Sequence, residues 1–254
     1  MEIITPDWPA PENIVAAITT REGGVSLAPW DTLNISFNTK DKHLSIEKNW
    51  QLLSKELNLP SLPQVLDQVH GIDIVRAHSG GSNVIGDGSF SDLPKTVCAV
   101  TTADCLPMLV CNIQGTLVCA VHAGWRGLST GIVKNIIRQL GVLPSDLMVY
   151  LGPAISQKNF EVGFEVKNMF LNSTSKPCLK EKFNSCFLRI EKKEENEVEK
   201  WQADLYGLAK MALNEVGVAK VYGGDFCTYG DPVRFYSHRR DGETGRMASL
   251  IWIS

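Results

Sequence analysis

The sequence predicts a mixed α/β fold, a single domain over residues 1–254 with mixed β-sheets flanked by helices. Three observations predict it. Residues 96–122 form a dense series of apolar β segments separated only by short turns. Segments 44–57, 125–140 and 203–216 space their apolar residues at helical intervals. No internal repeat and no shift in composition cuts the chain. The expectation is roughly ten strands with several helices.

Taken in order, Asn-Ile-Val-Ala-Ala-Ile-Thr-Thr (13–20) reads as a strand and Arg-Glu-Gly-Gly-Val-Ser (21–26) as a glycine loop. Leu44, Ile46, Trp50, Leu53 and Leu57 mark a helix that stops before Pro60. Strands are expected around Val65–Val69 and Ile72–Ala77, with a turn at Gly71. Gly80-Gly81 and Gly86-Asp87-Gly88 read as exposed loop. Strand Thr96–Thr101 leads into an Ala-Asp-Cys-Leu-Pro bend. Met108–Cys111 and Thr116–Val121 then form a hairpin through Asn112-Ile113-Gln114-Gly115. Near-continuous apolar runs of this kind indicate strands buried on both faces.

A helix follows over Trp125–Leu140, with Leu128, Ile132, Ile136 and Ile137 on one face and Gly141 as its cap. Beyond it come a strand at Leu147–Leu151, a short helix near Val162–Leu171, an amphipathic helix over Ala203–Val216 and a strand at Lys220–Tyr222. A polar turn at Asp241–Gly245 precedes a strand over Ala248–Ile253. The mixed-sign run at 190–200 reads as a solvated loop or exposed helix face.

A chain of 254 residues with 44% hydrophobic content can fill a sizeable core, and a net charge of −3 offers no electrostatic case for nucleic acid. No apolar stretch approaches the roughly eighteen residues that span a bilayer, and the N-terminus lacks the pattern of a secretory signal. A cytoplasmic protein, not bound to membrane, is expected. Seven cysteines make an odd count, against a disulfide framework. Cys98, Cys111 and Cys119 lie inside apolar runs and read as small buried hydrophobes. Cys178 and Cys186 flank a polar segment and could pair on oxidation. Cys227 ranks after Cys105 as a chemical candidate.

One cysteine and two histidines, each in a turn-rich motif, carry the chemistry. They are His70 in Gln-Val-His-Gly (68–71), Cys105 in Thr-Ala-Asp-Cys-Leu-Pro (102–107) and His122 in Val-His-Ala-Gly-Trp-Arg-Gly (121–127). Two imidazoles and a thiolate suffice to hold a catalytic zinc with an open fourth position. The same trio can serve as a cysteine nucleophile with histidine partners. Asp104, beside Cys105, either orients a ligand or caps the bend. Arg126 precedes helical amides that favour anions. Arg239, Arg240 and Arg246 fall in Ser-His-Arg-Arg-Asp-Gly-Glu-Thr-Gly-Arg (237–246), and such planar donor forks suit phosphate or carboxylate. Arg21, in the N-terminal glycine loop, poses the same choice between anion binding and a solvated surface role.

Together these motifs, with Leu-Gly-Pro-Ala-Ile (151–155), Thr-Arg-Glu-Gly-Gly-Val-Ser (20–26) and the pair Leu33 and Asn34, resemble the YfiH family. It is also called the laccase-domain or polyphenol-oxidase family and includes the peptidoglycan editing factor. The resemblance spans essentially the whole chain, apart from the charged stretch at 172–200. It implies a single-domain α/β fold with a metal, zinc or alternatively copper, held by His70, Cys105 and His122. It implies purine nucleoside phosphorylase activity on adenosine, inosine and 5′-methylthioadenosine, with adenosine deaminase activity, so that purine nucleoside and phosphate are the expected partners. The chain lacks the His-X-His pairs of a multinuclear copper centre, which weighs against laccase chemistry. It also lacks the His-X-Glu and Cys-X-X-Cys signature of base deaminases, so deamination needs a different proton carrier. Two alternatives remain: a metal-free cysteine hydrolase acting on a cell-wall precursor amide, and a metal-stabilised scaffold without turnover.

Overall fold

The computed structural model describes residues 1–79, 83–191 and 198–254. In chain order the first elements are β1 (Ile3–Ile4), β2 (Ile14–Thr19), α1 (His43–Leu57), β3 (Leu66–Asp67), β4 (Ile74–Arg76), β5 (Val84–Ile85) and β6 (Gly88–Ser91). The middle holds β7 (Cys98–Thr102), β8 (Leu106–Asn112), β9 (Val118–Ala123), α2 (Trp125–Thr130), α3 (Ile132–Leu140) and β10 (Leu147–Leu151). The rest are β11 (Glu161–Gly163), α4 (Phe164–Asn172), α5 (Pro177–Ser185), β12 (Phe187–Arg189), β13 (Lys200–Ala203), α6 (Leu205–Glu215), β14 (Lys220–Gly223), α7 (His238–Asp241) and β15 (Met247–Ile253).

The expected mixed α/β fold is present, built in layers. A six-stranded sheet runs β14-β10-β8-β9-β6-β4, antiparallel at its centre with a parallel pair at each edge. An antiparallel four-stranded sheet runs β1-β2-β15-β7. Side chains alternate along each strand. On β8, Leu109 and Cys111 therefore pack between the sheets with Ile18, Val100 and Ile251. Leu106, Met108 and Val110 pack on the other face against the helical layer, which includes Leu128, Ile132 and Leu208. Burial on both faces explains the uninterrupted apolar runs. Cys98, Cys111 and Cys119 are buried there, as expected. Outside the four-stranded sheet, α1 brings Ile46, Trp50 and Leu53 against Ala99, Leu250 and Trp252.

Several boundaries differ from the sequence reading. The helix expected over 125–140 is two helices, because Gly131 adopts φ +104°, ending α2 and starting α3. Leu44, counted on the apolar face of α1, is 80% exposed in its first turn. Cys186 caps α5, and eight residues of helical rise put it roughly 12 Å along the axis from Cys178, beyond disulfide reach. Part of the unplaced 172–200 stretch forms α5, β12 and the start of β13, while residues 192–197 of the charged run lie outside the described residues. Gly80-Gly81 lies outside them too. Among the described residues no helix is long and apolar enough to cross a membrane.

Asn49 on α1 ties the N-terminal loop to this frame. Its Nδ2 donates to Ser26 Oγ, Thr32 O and Asn34 O, and its Oδ1 accepts from the Val25 amide. Asn49→Ala takes this partner from the Val25 amide and the Asn34 carbonyl and leaves Ser26 Oγ and Thr32 O only their bonds to Asp41 and the Ser26 amide, and a loss of about 3 kcal/mol is expected. Denaturant midpoints measure it, and a loss too small to resolve would show that the loop holds itself.

Candidate functional site

The three expected residues converge at one end of the sheets. His122 is the penultimate residue of β9 and lies opposite Pro107 of β8. Cys105 sits in the bend between β7 and β8, and His70 in the loop after β3. Cys105 Sγ lies 3.9 Å from His70 Nε2, and the two imidazole centroids are 4.8 Å apart at 78°. One ligand atom from each residue falls within 4.8 Å of the others. The His70 ring is exposed, Cys105 half-buried and His122 buried, so the cluster opens to one side. A Cβ on Gly124 would lie 3.1 Å from Cys105 Sγ and 3.3 Å from His70 Cδ2, so a side chain there would crowd the cluster.

Asp87 holds this arrangement. Its Gly-Asp-Gly setting predicts an exposed loop; instead it is fully buried directly before β6. Its Oδ1 lies 2.8 Å from His122 Nδ1 and accepts the His70 amide at 2.9 Å, while Oδ2 accepts the Gly71 amide at 2.6 Å. An ionised carboxylate can only accept, so His122 Nδ1 carries the hydrogen and Nε2 faces the cluster. The amide contact also supports the left-handed backbone of His70, at φ +61°. Burial alone would raise the Asp87 carboxyl, but His122 and the two amides outweigh it and hold it below the usual carboxylate range.

Burial would likewise raise the Cys105 thiol. The charge and hydrogen bonds of His122, then His70, outweigh burial and bring it down to about 6. Burial would lower His122, but Cys105 and Asp87 raise it to about 9. The favoured charge state is thiolate beside imidazolium. Thiolate sulfur with two imidazole nitrogens is a soft, tetrahedral-capable donor set, and it can hold a metal ion. The buried carboxylate behind one imidazole is the usual support of such a ligand.

The cluster lines a cleft of about 470 Å³, with Trp125, Phe160 and Ile155 as its apolar surfaces. Of the five expected arginines, Arg126, Arg239 and Arg246 line it. Arg126 lies 4.4 Å over the Trp125 ring, and Arg239 lies 5.4 Å over Phe160. Burial lowers the Arg246 guanidinium, against the opposing pull of Cys105 and Asp104. The structure keeps Arg21 and Arg240 out of the cleft lining. Arg21 is taken up by Asp31, Pro232 O and the face of Tyr236. Arg240 forks onto Asp241 and donates to the carbonyls of Thr228, Tyr229 and Phe235. Both are framework residues.

Asp104 also lines the cleft, at φ +83°, but its oxygens are committed. Oδ1 accepts from Thr228 Oγ1 at 2.6 Å, and Oδ2 accepts the Arg239 amide at 2.6 Å. It docks the C-terminal segment onto the Cys105 bend and does not orient a ligand. Cys227 lies outside this cleft, beside Ser156 and Asn159. His238, unassigned in the sequence reading, lines the cleft as well.

A sequence model of the family described as multi-copper polyphenol oxidoreductase laccase matches residues 15–254. A purine nucleoside phosphorylase of Pseudomonas aeruginosa is 43% identical over 251 residues, 98% of each chain. The purine nucleoside phosphorylase YfiH of Escherichia coli is 42% identical over 253 residues, 99% of each chain. Among solved structures, the Neisseria meningitidis protein NMB0706 superposes with a TM-score of 0.88 at 40% identity over 100% of both chains. YlmD of Geobacillus stearothermophilus gives 0.84 at 29% identity over 96% of this chain and 93% of its own.

Because Asp87 faces donors alone, Asp87→Asn turns one acceptor into a donor that opposes an amide or the imidazole. Metal affinity is expected to fall about 10- to 100-fold. Competition against a metal indicator measures this, and unchanged affinity would show that the imidazoles hold their positions unaided.

Proposed function

This chain belongs to the laccase-domain family of YfiH-type proteins, and from that premise we propose that it is a zinc-dependent purine nucleoside phosphorylase. Its proposed substrates are adenosine, inosine and 5′-methylthioadenosine with phosphate, accompanied by adenosine deamination, in the cytoplasm. The observation that carries the reading is an open His70–Cys105–His122 cluster in an arginine-bordered cleft, in a chain over 40% identical along its length to proteins named purine nucleoside phosphorylases. Residues 1–254 act as one catalytic unit in this reading.

Zinc held by Cys105 Sγ, His70 and His122 would supply Lewis acidity and electrostatic stabilisation beside the substrate. The protein's own residues supply the rest. Asp87 fixes the His122 imidazole and the backbone that carries His70. Arg126, Arg239 and Arg246 offer guanidinium forks to a phosphate carrying about two negative charges. Half-buried Trp125 provides an apolar surface against which a purine can pack and exclude water, while Phe160, buried beneath Arg239, backs the cleft wall. Five histidines without a His-X-His pair are too few for a multinuclear copper centre, and two imidazoles and a thiolate with an open fourth position are a ligand set of catalytic zinc.

One observation favours a second reading. Asp87, His122 and Cys105 line up as carboxylate, imidazole and thiol, with the thiol lowered to about 6, as in a cysteine hydrolase. Such an enzyme would attack an amide of a cell-wall precursor. Metal analysis with activity measurements separates the two. Chelation abolishes activity under the first reading. Under the second it leaves activity intact while alkylation of Cys105 removes it.

The direct test incubates the purified protein with inosine, adenosine and 5′-methylthioadenosine, with and without phosphate, and identifies the products by mass spectrometry. Free base and a pentose 1-phosphate should form only when phosphate is present, and adenosine should also yield inosine. Base release independent of phosphate overturns the phosphorylase reading. Arg126→Ala, Arg239→Ala or Arg246→Ala should raise the phosphate KM roughly tenfold or more with metal content unchanged. If no substitution moves the phosphate KM, the arginines serve structure alone.

A further inference from the structure

We propose that His238 is the proton carrier of this cleft, a catalytic residue that protonates the departing purine. The inference rests on the phosphorylase reading above. A purine anion is a poor leaving group, and a positioned acid that protonates it typically contributes about 10²- to 10⁴-fold.

The other titratable groups among the described residues lining the cleft are committed elsewhere. Cys105, His70 and His122 form the cluster. Both Asp104 oxygens are filled by Thr228 and the Arg239 amide. Arginine does not release its proton near neutral pH. His238 is the remaining group able to exchange a proton.

His238 is exposed at the cleft, and one side-chain contact and its backbone neighbours position it. Nδ1 lies 2.7 Å from Gly242 O, and a carbonyl only accepts, so Nδ1 carries a hydrogen. That leaves Nε2 as the exchanging nitrogen, bare in the neutral ring and a donor in the imidazolium. Gly242 adopts φ +70° at the end of α7, a conformation that side chains disfavour. The preceding residue, Ser237, accepts the Arg240 amide through Oγ, and the following residue, Arg239, gives its amide to Asp104. The backbone carrying His238 is thereby tied to the same bend that presents Cys105.

The step balances without another reactant. As the bond between purine N9 and ribose C1′ breaks, its electron pair passes to the base, which takes the Nε2 proton at N7. A phosphate oxygen bonds to C1′. The proton lost by hydrogenphosphate returns to Nε2, directly or through water, so the imidazole ends as it began.

The test compares inosine with 7-methylinosine, whose alkylated, cationic base leaves as a neutral molecule without being protonated. His238→Asn keeps an N–H near the Nδ1 position for Gly242 O and carries no exchangeable acid. With metal-loaded protein, kcat/KM for inosine should fall roughly 100-fold or more. For 7-methylinosine it should stay within about threefold of wild type, with metal content and thermal midpoint unchanged. An equal fall for both nucleosides, or none for inosine, overturns the role of His238. A wild-type protein that phosphorolyses neither nucleoside overturns the phosphorylase reading and this role with it.

Discussion

Asp87 is removed from water yet ionised, a state that costs several kcal/mol unless donors fill its oxygens. Here they are filled by the His122 imidazole and by the amides of His70 and Gly71. One carboxylate thus sets the tautomer of one imidazole and supports the unusual backbone of the residue bearing the other. It also couples β9, the His70 loop and the start of β6, since its own carbonyl accepts the His122 amide. The geometry around Cys105 follows. The thiol meets the charge and hydrogen bond of the held His122 ring first and the His70 ring second, and its charged form is favoured despite its half-buried setting.

The layered fold explains why such a site opens at one end of the sheets. The central strands are apolar on both faces and leave no room for polar chemistry within them. Functional side chains therefore come from the bends where strands end. Asp104 turns one of these bends into a junction, since its carboxylate and carbonyl hold Thr228, Arg239 and Ile155. Arginines divide along the same line. Arg21 and Arg240 spend their donors on carbonyls and carboxylates and brace the loops, whereas Arg239 and Arg246 give Nη1 to the carbonyls of Glu161, Thr244 and Gly245 and have further N–H groups at the cleft.

Fold class and cluster were legible because each leaves a local signature. Burial on two faces writes continuous apolar runs, and the cluster residues sit in short motifs rich in glycine and proline. What escaped was set by tertiary contact. The segment Gly-Asp-Gly at 86–88 carries the composition of a solvated turn, and only the approach of His122 makes Asp87 a buried anchor. Asp104 looked like a companion to Cys105 because it precedes it, yet its positive φ turns its carboxylate toward the C-terminal segment. Gly131 stood inside a helical pattern whose apolar spacing continues across the break, so periodicity alone could not divide α2 from α3. The arginines of 237–246 shared one motif, and composition offered no means of telling Arg240 from its neighbours.

Strand β15 lies between β2 and β7 in the four-stranded sheet and pairs with both along most of its length. During synthesis, two strands made far earlier must wait with open hydrogen-bonding edges until residues 247–253 leave the ribosome. Such non-local pairing slows folding and leaves unpaired edges open to association with other chains. It also couples assembly to chemistry. The segment that closes the sheet follows directly on Arg246, which lines the cleft, so sheet closure and completion of the cleft fall at the same stage of synthesis.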